Sequence, residues 1–474
     1  MKSQQRLTLR GIIASAFTIG WVVVFSTNAC FAQDGKASDR GESNTQAEAR
    51  WWKGNLHTHS LWSDGNDFPE MITKWYVDHD YNFLALTDHN ILSQGERWMD
   101  LAAIENRSGT AAVDKCRKAF GDDWIQMRDK PVKKKTKTEQ EAEKETATDG
   151  DLKKEETKPA PQQVRLRPVS EFRRKFEANN KFLLIEAEEI SDRAQGVPIH
   201  MNATNLNSVI QPVGGETVEE AINNNLRAVQ EQAEKNGQPI LVHLNHPNFG
   251  WAVTAENLAA VTNERFFEVY NGHPGINHLG DQTRPSVEKI WDIANTIRIG
   301  ELKSQPIFGL GTDDSHHYHG RIKAPKSANV GRGWVMVKAK NLDAKSLIDA
   351  MNAGDFYASS GVELEAIELV DKKLTLKVKA EEGVTYTTHF IGTKKDYDKK
   401  SVAQVDGSGK PMRATRLYSK DVGAVLATSD STDPSYTLTG NELYVRAVVT
   451  SSKPHVDPSF KDQKQQAWTQ PVGY

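Results

Sequence analysis

Leu56-His57-Thr58-His59-Ser60 closes the apolar run 52–56, and Ser63-Asp64-Gly65 follows a few residues later. In an extended chain, side chains alternate between faces, so His57 and His59 point the same way and can reach one ion. Alone, the pair is weak grounds for a metal site, because polar residues often stand at strand ends. The pattern recurs, however. Run 83–87 leads into Thr87-Asp88-His89-Asn90, run 182–190 carries Glu186-Ala187-Glu188-Glu189-Ile190-Ser191, and run 197–202 reaches His200-Met201-Asn202. Runs 239–243, 265–270 and 306–311 bring Val242-His243-Leu244-Asn245-His246-Pro247, Phe267-Glu268-Val269-Tyr270-Asn271-Gly272 and Gly311-Thr312-Asp313-Asp314-Ser315-His316. Every run bears a metal-ligand type of residue near its C-terminal end, where β/α barrels place their sites.

Helix-like stretches at 69–80, 217–236 and 285–299 separate several of these runs. Strands alternating with helices predict parallel β/α units and, at this count, a closed or nearly closed barrel. Past residue 360 the texture changes. Segments 362–370, 374–380, 385–390, 435–438 and 443–449 alternate in period two, which predicts an antiparallel β-sandwich. Of the fourteen histidines only His389 and His455 fall there, so no chemistry is expected of it.

Composition narrows the function further. The 474 residues carry a net charge of −3 and 26% charged side chains of mixed sign, so nucleic-acid binding is not expected. Two cysteines, Cys30 and Cys116, exclude a disulfide scaffold and a thiolate zinc site. Lys2, Arg6 and Arg10 precede the apolar run 11–25 and the small-residue stretch 26–32, the pattern of a secretory signal. Cleavage after Ala32 and an exported, periplasmic or secreted, protein are expected. The run is shorter than the ~20 residues of a spanning helix, so no stable membrane insertion is expected after cleavage. The expected organisation is therefore a signal at 1–32, a linker at 33–50, a barrel domain at 51–360 and a β-sandwich at 361–474. From about 130 to 161, lysines and acids alternate with almost no apolar residue, so a disordered charged insertion is expected.

The succession of motifs resembles the PHP (polymerase and histidinol phosphatase) superfamily over roughly residues 51–360. Taken together, the HxH with Ser-Asp-Gly, the Thr-Asp-His, the Glu-Glu-Ile-Ser, the Asn-His-Pro and the Gly-Thr-Asp-Asp-Ser-His are highly specific. The resemblance implies an α/β fold, a distorted seven-stranded β/α barrel holding two or three divalent ions, zinc, manganese or iron. It further implies that His57, His59 and Asp314 hold one ion, that Glu189 bridges it to a second held by His200 and His246, and that Asp64, His89 and His316 hold a third. The family's glutamate precedes an aliphatic residue and a Ser/Thr, which selects Glu189 over Glu188 and Glu186. Its Asp-x-His selects Asp314 over Asp313. Glu189, Asp314 and His316 are the residues on which hydrolysis is expected to depend most.

An imidazole and carboxylate set suits zinc, manganese or ferrous iron, and closely spaced ions can acidify a shared hydroxide. The expected function is hydrolysis of a small phosphate mono- or diester by a metal-activated hydroxide. The alternatives are a carboxylic ester, carbamate or amide hydrolase built on the same centre, and a non-catalytic binding protein. Arg193 and Arg321, which lie beyond ligand-bearing strands, together with His243 and Glu268, are candidate substrate contacts, though a solvated loop is the commoner place for such arginines. His273 and His278 are further loop candidates, His317 and His319 candidate supporting donors, and His79 a surface residue.

Overall fold

In the computed structural model, which describes residues 48–131, 161–320 and 326–474, the first two apolar runs form β1 (Arg50–Asn55) and β2 (Phe83–Leu86). An excursion then supplies β3 (Arg97–Asp100), β4 (Met127–Asp129) and β5 (Gln162–Leu166), a small sheet with β5 in its middle. The chain returns through β6 (Leu183–Ala194), β7 (Val197–Thr204), β8 (Leu241–Leu244), β9 (Phe266–Asn271) and β10 (Phe308–Thr312). Next come β11 (Trp334–Ala339), β12 (Phe356–Ser359), β13 (Leu364–Val370), β14 (Lys373–Val378), β15 (Tyr386–Lys394), β16 (Ser401–Val402) and β17 (Leu417–Tyr418). The chain ends with β18 (Ala424–Ser429), β19 (Ser435–Thr437), β20 (Glu442–Pro454) and β21 (Lys464–Thr469).

One mixed sheet of 13 strands runs in the order β10-β9-β8-β7-β6-β2-β1-β11-β12-β21-β20-β15-β18. The pairs β1/β2, β2/β6, β8/β9 and β9/β10 are parallel, as strand and helix alternation predicts. At β6 and β7 that prediction fails: they form an antiparallel hairpin, and β7 is antiparallel to β8 as well. A parallel crossover needs about a dozen residues, and only Gln195 and Gly196, both at positive φ, separate these strands.

Side chains of β1, β2, β6, β8, β9, β10 and β11, among them Trp52, Phe83, Ile185, Leu241, Phe266, Leu310 and Val335, share one buried cluster with Leu347, Ile348 and Met351 of helix Ala344–Ala353. Further helices pack against β7, β8 and β9. Thr217 caps Val218–Asn236 by accepting from Glu220 N, and Gly237 ends it at φ 63°. Ser286 caps Val287–Gly300 in the same way, and Trp291 of that helix packs among Phe267, Val269 and Trp468.

Beyond β12 the strands are antiparallel. β13, β14 and β19 form a separate sheet whose Leu364, Leu374 and Leu376 meet Phe390, Val445 and Val449 in one core. The facing layer is continuous with the large sheet, because β12 pairs with β21 (Tyr357 opposite Thr469), carrying the ladder across residue 360.

Residues 1–47, with the expected signal and most of the linker, lie outside the described residues, and so does the charged insertion apart from its ends. Those ends meet, since Lys130 N donates to Pro161 O at 2.7 Å. Replacing 132–160 by a short turn should therefore leave hydrolysis intact and shift the melting temperature by a few degrees at most, as scanning calorimetry would show.

A buried acid gives the fold a pH dependence. Glu264 is 1% exposed; its Oε1 accepts from Phe266 N at 2.9 Å, while Oε2 has no partner among the described residues. Neighbouring Arg298 spends its Nη2 on the Val261 and Glu264 carbonyls, and burial pushes the Glu264 carboxyl up to about 8. The folded state thus retains a proton that the unfolded chain releases near 4.5. Stability should fall as pH rises from about 4.5 to about 8, and Glu264→Gln should flatten that fall, measured by urea unfolding across this window.

Candidate metal centre

The strand ladder continues past the strand ends, and this continuation positions the site. Asp314 N donates to His57 O and His59 N to Ser315 O, each at 3.0 Å, so the segment after β10 bonds to the segment after β1. On the other side Thr87 N donates to Thr58 O (2.8 Å) and Asn90 N to Glu189 O (2.9 Å). Alternation sends Thr58 outward, 3.2 Å from Tyr76 of helix Pro69–Asp78, and leaves His57 and His59 facing inward. Asp314 adopts φ 47° and His246 φ 21°. Such conformations cost of order 1–3 kcal/mol each. They persist because both backbones are held, Asp314 N by His57 O and His246 N by Glu268 Oε2 at 2.8 Å.

His57 Nε2 and His59 Nε2 stand 3.1 Å apart, and Asp314 Oδ1 is 3.2 Å from each. Glu189 completes the figure, Oε1 lying 3.5 Å from His57 Nε2 and Oε2 3.5 Å from His59 Nε2. Donors around a tetrahedral ion with bonds of roughly 2.0–2.1 Å would be separated by about 3.3 Å, the spacing that His57, His59 and Asp314 keep among themselves and that each histidine keeps with one Glu189 oxygen. Glu189 Oε1 is also 3.0 Å from His200 Nδ1 and 3.6 Å from His246 Nε2, which puts its carboxylate between two groups of imidazoles. Asp64 gathers a third group: its oxygens lie 3.4 Å from His89 Nε2, 3.4 Å from His316 Nε2 and 3.6 Å from His59 Nδ1. His89 Nδ1 also lies 2.6 Å from Glu189 Oε2, so His89 stands between the second and third groups. Buried Glu189 Oε2 makes no well-aligned hydrogen bond and lies among the His89 and His59 imidazoles, a carboxylate oxygen placed where a cation would satisfy it.

The electrostatics follow from crowding these groups out of water. Burial pushes the Glu189 carboxyl up, but the His200, His89 and His57 imidazoles outweigh it and hold the group well below the usual carboxylate range. Asp314 is likewise held low against burial by His57 and His59. Burial lowers His59 to about 3, helped by His316. Burial would also lower His89, yet the Glu189 and Asp64 carboxylates raise it to about 11. Without metal, protons on histidines compensate the buried carboxylates; divalent ions would do so instead and leave every imidazole free to ligate.

Adjacent acids take opposite roles. Glu188 turns away and accepts from Ile210 N at 2.6 Å, whereas Glu189 faces the imidazoles. Asp313 also turns away, accepting from Tyr76 Oη and from the Gly331, Arg332 and Gly333 amides. Glu186 pairs with Arg173 at 3.1 Å. Glu268 and His243, expected to contact substrate, are buried behind His57 instead: Glu268 Oε1 lies 2.6 Å from His57 Nδ1 and 3.5 Å from His243 Nε2. Glu268 therefore orients the His57 ring and fixes its tautomer. Arg193 is exposed on the β6–β7 hairpin and does not line the cleft, and Arg321 lies outside the described residues. His278 stacks on Tyr270 and reaches the Asn271 carbonyl at 2.5 Å, away from the cleft. His317 accepts from Ala328 N and His319 bonds Asn66 O, both at 2.8 Å, while His79 is exposed and stacked on Trp75.

Several supporting residues stand inside the motifs without having been singled out. Asn245 donates to Glu189 Oε1 (2.8 Å); Asn271 donates to Glu268 Oε2 (2.8 Å) and Asp314 Oδ2 (3.1 Å); Thr312 donates to Glu268 Oε1 (2.7 Å). Asp88 ties down the loop after His59 through Ser60 and Ser63. Their signal was adjacency to a ligand, in Asn245-His246 and Asp88-His89. Over the ligands opens a cleft of about 160 Å³, lined also by Phe249, His273 and Ile276.

No family model matches the chain, and no curated protein does. Among solved structures it is similar to a two-domain protein from Bacteroides vulgatus, described as containing a predicted PHP-like metal-dependent phosphoesterase. The two share 15% sequence identity over 92% of this chain and 100% of that one, with a TM-score of 0.36.

Proposed function

We propose that this chain is an exported, metal-dependent phosphoesterase of the PHP type, acting on a small phosphate mono- or diester. One observation carries the reading: His57 Nε2 and His59 Nε2, 3.1 Å apart, each stand 3.2 Å from Asp314 Oδ1 and 3.5 Å from a Glu189 carboxylate oxygen, and Glu189 is shared with His200 and His246. Zinc, manganese or iron held there would supply an acidified water and positive charge against the ester oxygens. The chain's own side chains fix that chemistry in place. Glu268 and Asn271 immobilise His57 and Asp314, Asn245 immobilises Glu189, and Phe249 and Ile276 keep bulk water from one side of the cleft. The cleft is small beside the several hundred Å³ of a typical ligand pocket, which suits the reacting end of a compact ester.

A second reading, hydrolysis of a carboxylic ester, carbamate or amide, is favoured by one feature: no lysine or arginine lines the cleft among the described residues. The test is a panel of phosphomonoesters, phosphodiesters and carboxylic esters offered to the manganese- or zinc-loaded protein. Turnover of phosphoesters, abolished by chelator, is expected; turnover of carboxylic esters alone would overturn the phosphoesterase reading.

A further inference from the structure

Among the described residues, Phe249, His273 and Ile276 line the cleft beside the ligands; of these three, His273 alone can donate a hydrogen bond to substrate, and its tautomer is set by the backbone. Gly275 N donates to His273 Nδ1 at 3.0 Å, so Nδ1 bears no proton and the ring is a neutral imidazole carrying its hydrogen on Nε2. Gly275 permits this approach: a Cβ there would lie 3.0 Å from both Nδ1 and Cε1 of His273. The ring lines the cleft edge-on to His316 (centroids 5.4 Å) and to Phe249 (6.4 Å), and Nε2 has no hydrogen-bond partner among the described residues. The loop is tied to the ligands, because His273 N donates to Asn271 Oδ1 (2.8 Å) while the same asparagine amide donates to Asp314 and Glu268. A donor with a fixed tautomer, anchored to the metal-ligand network and unpartnered in the cleft, is preorganised for an acceptor on the ligand.

Resting on the phosphoesterase reading, we propose that His273 Nε2–H donates to a non-bridging phosphoryl oxygen, in a subsite where Phe249 and Ile276 receive an uncharged, apolar alcohol moiety. The flanking residues carry the second half. Phe249 packs edge-on against His246 (5.0 Å) and Ile276 is 7% exposed, so at these two residues the leaving group meets carbon. Lacking lysine and arginine, the described wall offers a charged alcohol moiety no compensation for lost hydration.

Three measurements test this. In metal-free wild type, long-range ¹⁵N–¹H imidazole spectra should show His273 as the Nε2–H tautomer; an Nδ1–H tautomer overturns the assignment without any variant. In the manganese-loaded protein, His273→Phe keeps the ring volume and removes the donor. Calorimetric affinity for inorganic phosphate should fall about 10- to 100-fold with metal content unchanged. Equal affinity in variant and wild type overturns the role of His273 and leaves the phosphoesterase reading standing. Benzyl phosphate should be hydrolysed with a kcat/KM at least about tenfold above that of glycerol 1-phosphate, and parity would remove the apolar subsite. A wild type that hydrolyses carboxylic esters and no phosphoester overturns the underlying reading, and this assignment with it.

Discussion

Glu189→Gln should retain the fold and lose hydrolysis by about three orders of magnitude or more, because the lowered pKa of the attacking water depends on the charge held there. The substitution is isosteric, so the Asn245 contact and the strand ladder can survive. What disappears is the negative charge placed between His57, His59, His89, His200 and His246. A neutral amide offers one weak donor where two carboxylate oxygens stood, so bound metal should fall along with turnover. Glu188→Gln supplies the contrast. Its carboxyl faces Ile210 N on the other side of β6, and burial pushes it up to about 7, so an amide resembles the group already present. Activity within a few-fold of wild type is expected. An inactive Glu188→Gln enzyme beside an active Glu189→Gln enzyme would show the opposite register.

Arg446→Ala should cost about 3–5 kcal/mol of stability, the largest structural effect expected of a single substitution here. Arg446, on β20 and 1% exposed, donates through Nε and Nη2 to both oxygens of Asp292 at 2.8 Å, with Glu288 at 3.4 Å and the Trp291 ring 4.6 Å from its guanidinium carbon. Asp292 and Glu288 lie on helix Val287–Gly300, so this one side chain ties the C-terminal strands to the outer layer of the site-bearing half. Truncation leaves the Asp292 carboxylate, 3% exposed, without its counter-charge. Removing both partners, as Arg446→Met with Asp292→Leu, should recover most of the loss, since the penalty comes from the stranded charge. Denaturant unfolding of the two singles and the double measures it; equal losses in Arg446→Ala and the double would mean that packing, not charge, is what Arg446 provides.

Much of this site was legible because strand geometry converts sequence spacing into facing. His57 and His59, two apart, share a side, and Glu188 and Glu189, adjacent, cannot. Ligand-type residues at the C-terminal ends of apolar runs marked the face on which they converge. Other features were hidden for physical reasons. Glu268 and His243 lie on strands as Glu189 and His200 do, but whether a strand residue enters the cleft or packs behind a neighbouring ring depends on how the strands are arranged around it, which no local pattern encodes. The β6–β7 hairpin hides inside an expected alternation, because apolarity marks the two strands while the two-residue turn Gln195-Gly196 carries no apolar signal of a change in direction. Long-range ties such as Arg446 to Asp292, and Arg332 to Asp457 and the Gly272 carbonyl, join positions 60 to 154 residues apart with no shared local motif.

The metal centre is tested most directly by elemental analysis of purified protein dialysed against metal-free buffer, wild type beside Glu189→Gln. About two to three equivalents of a divalent transition metal are predicted for the wild type, with a clear deficit in the variant. A folded wild type that holds none, takes up none on reconstitution, and hydrolyses its ester in the presence of chelator would contradict the assignment.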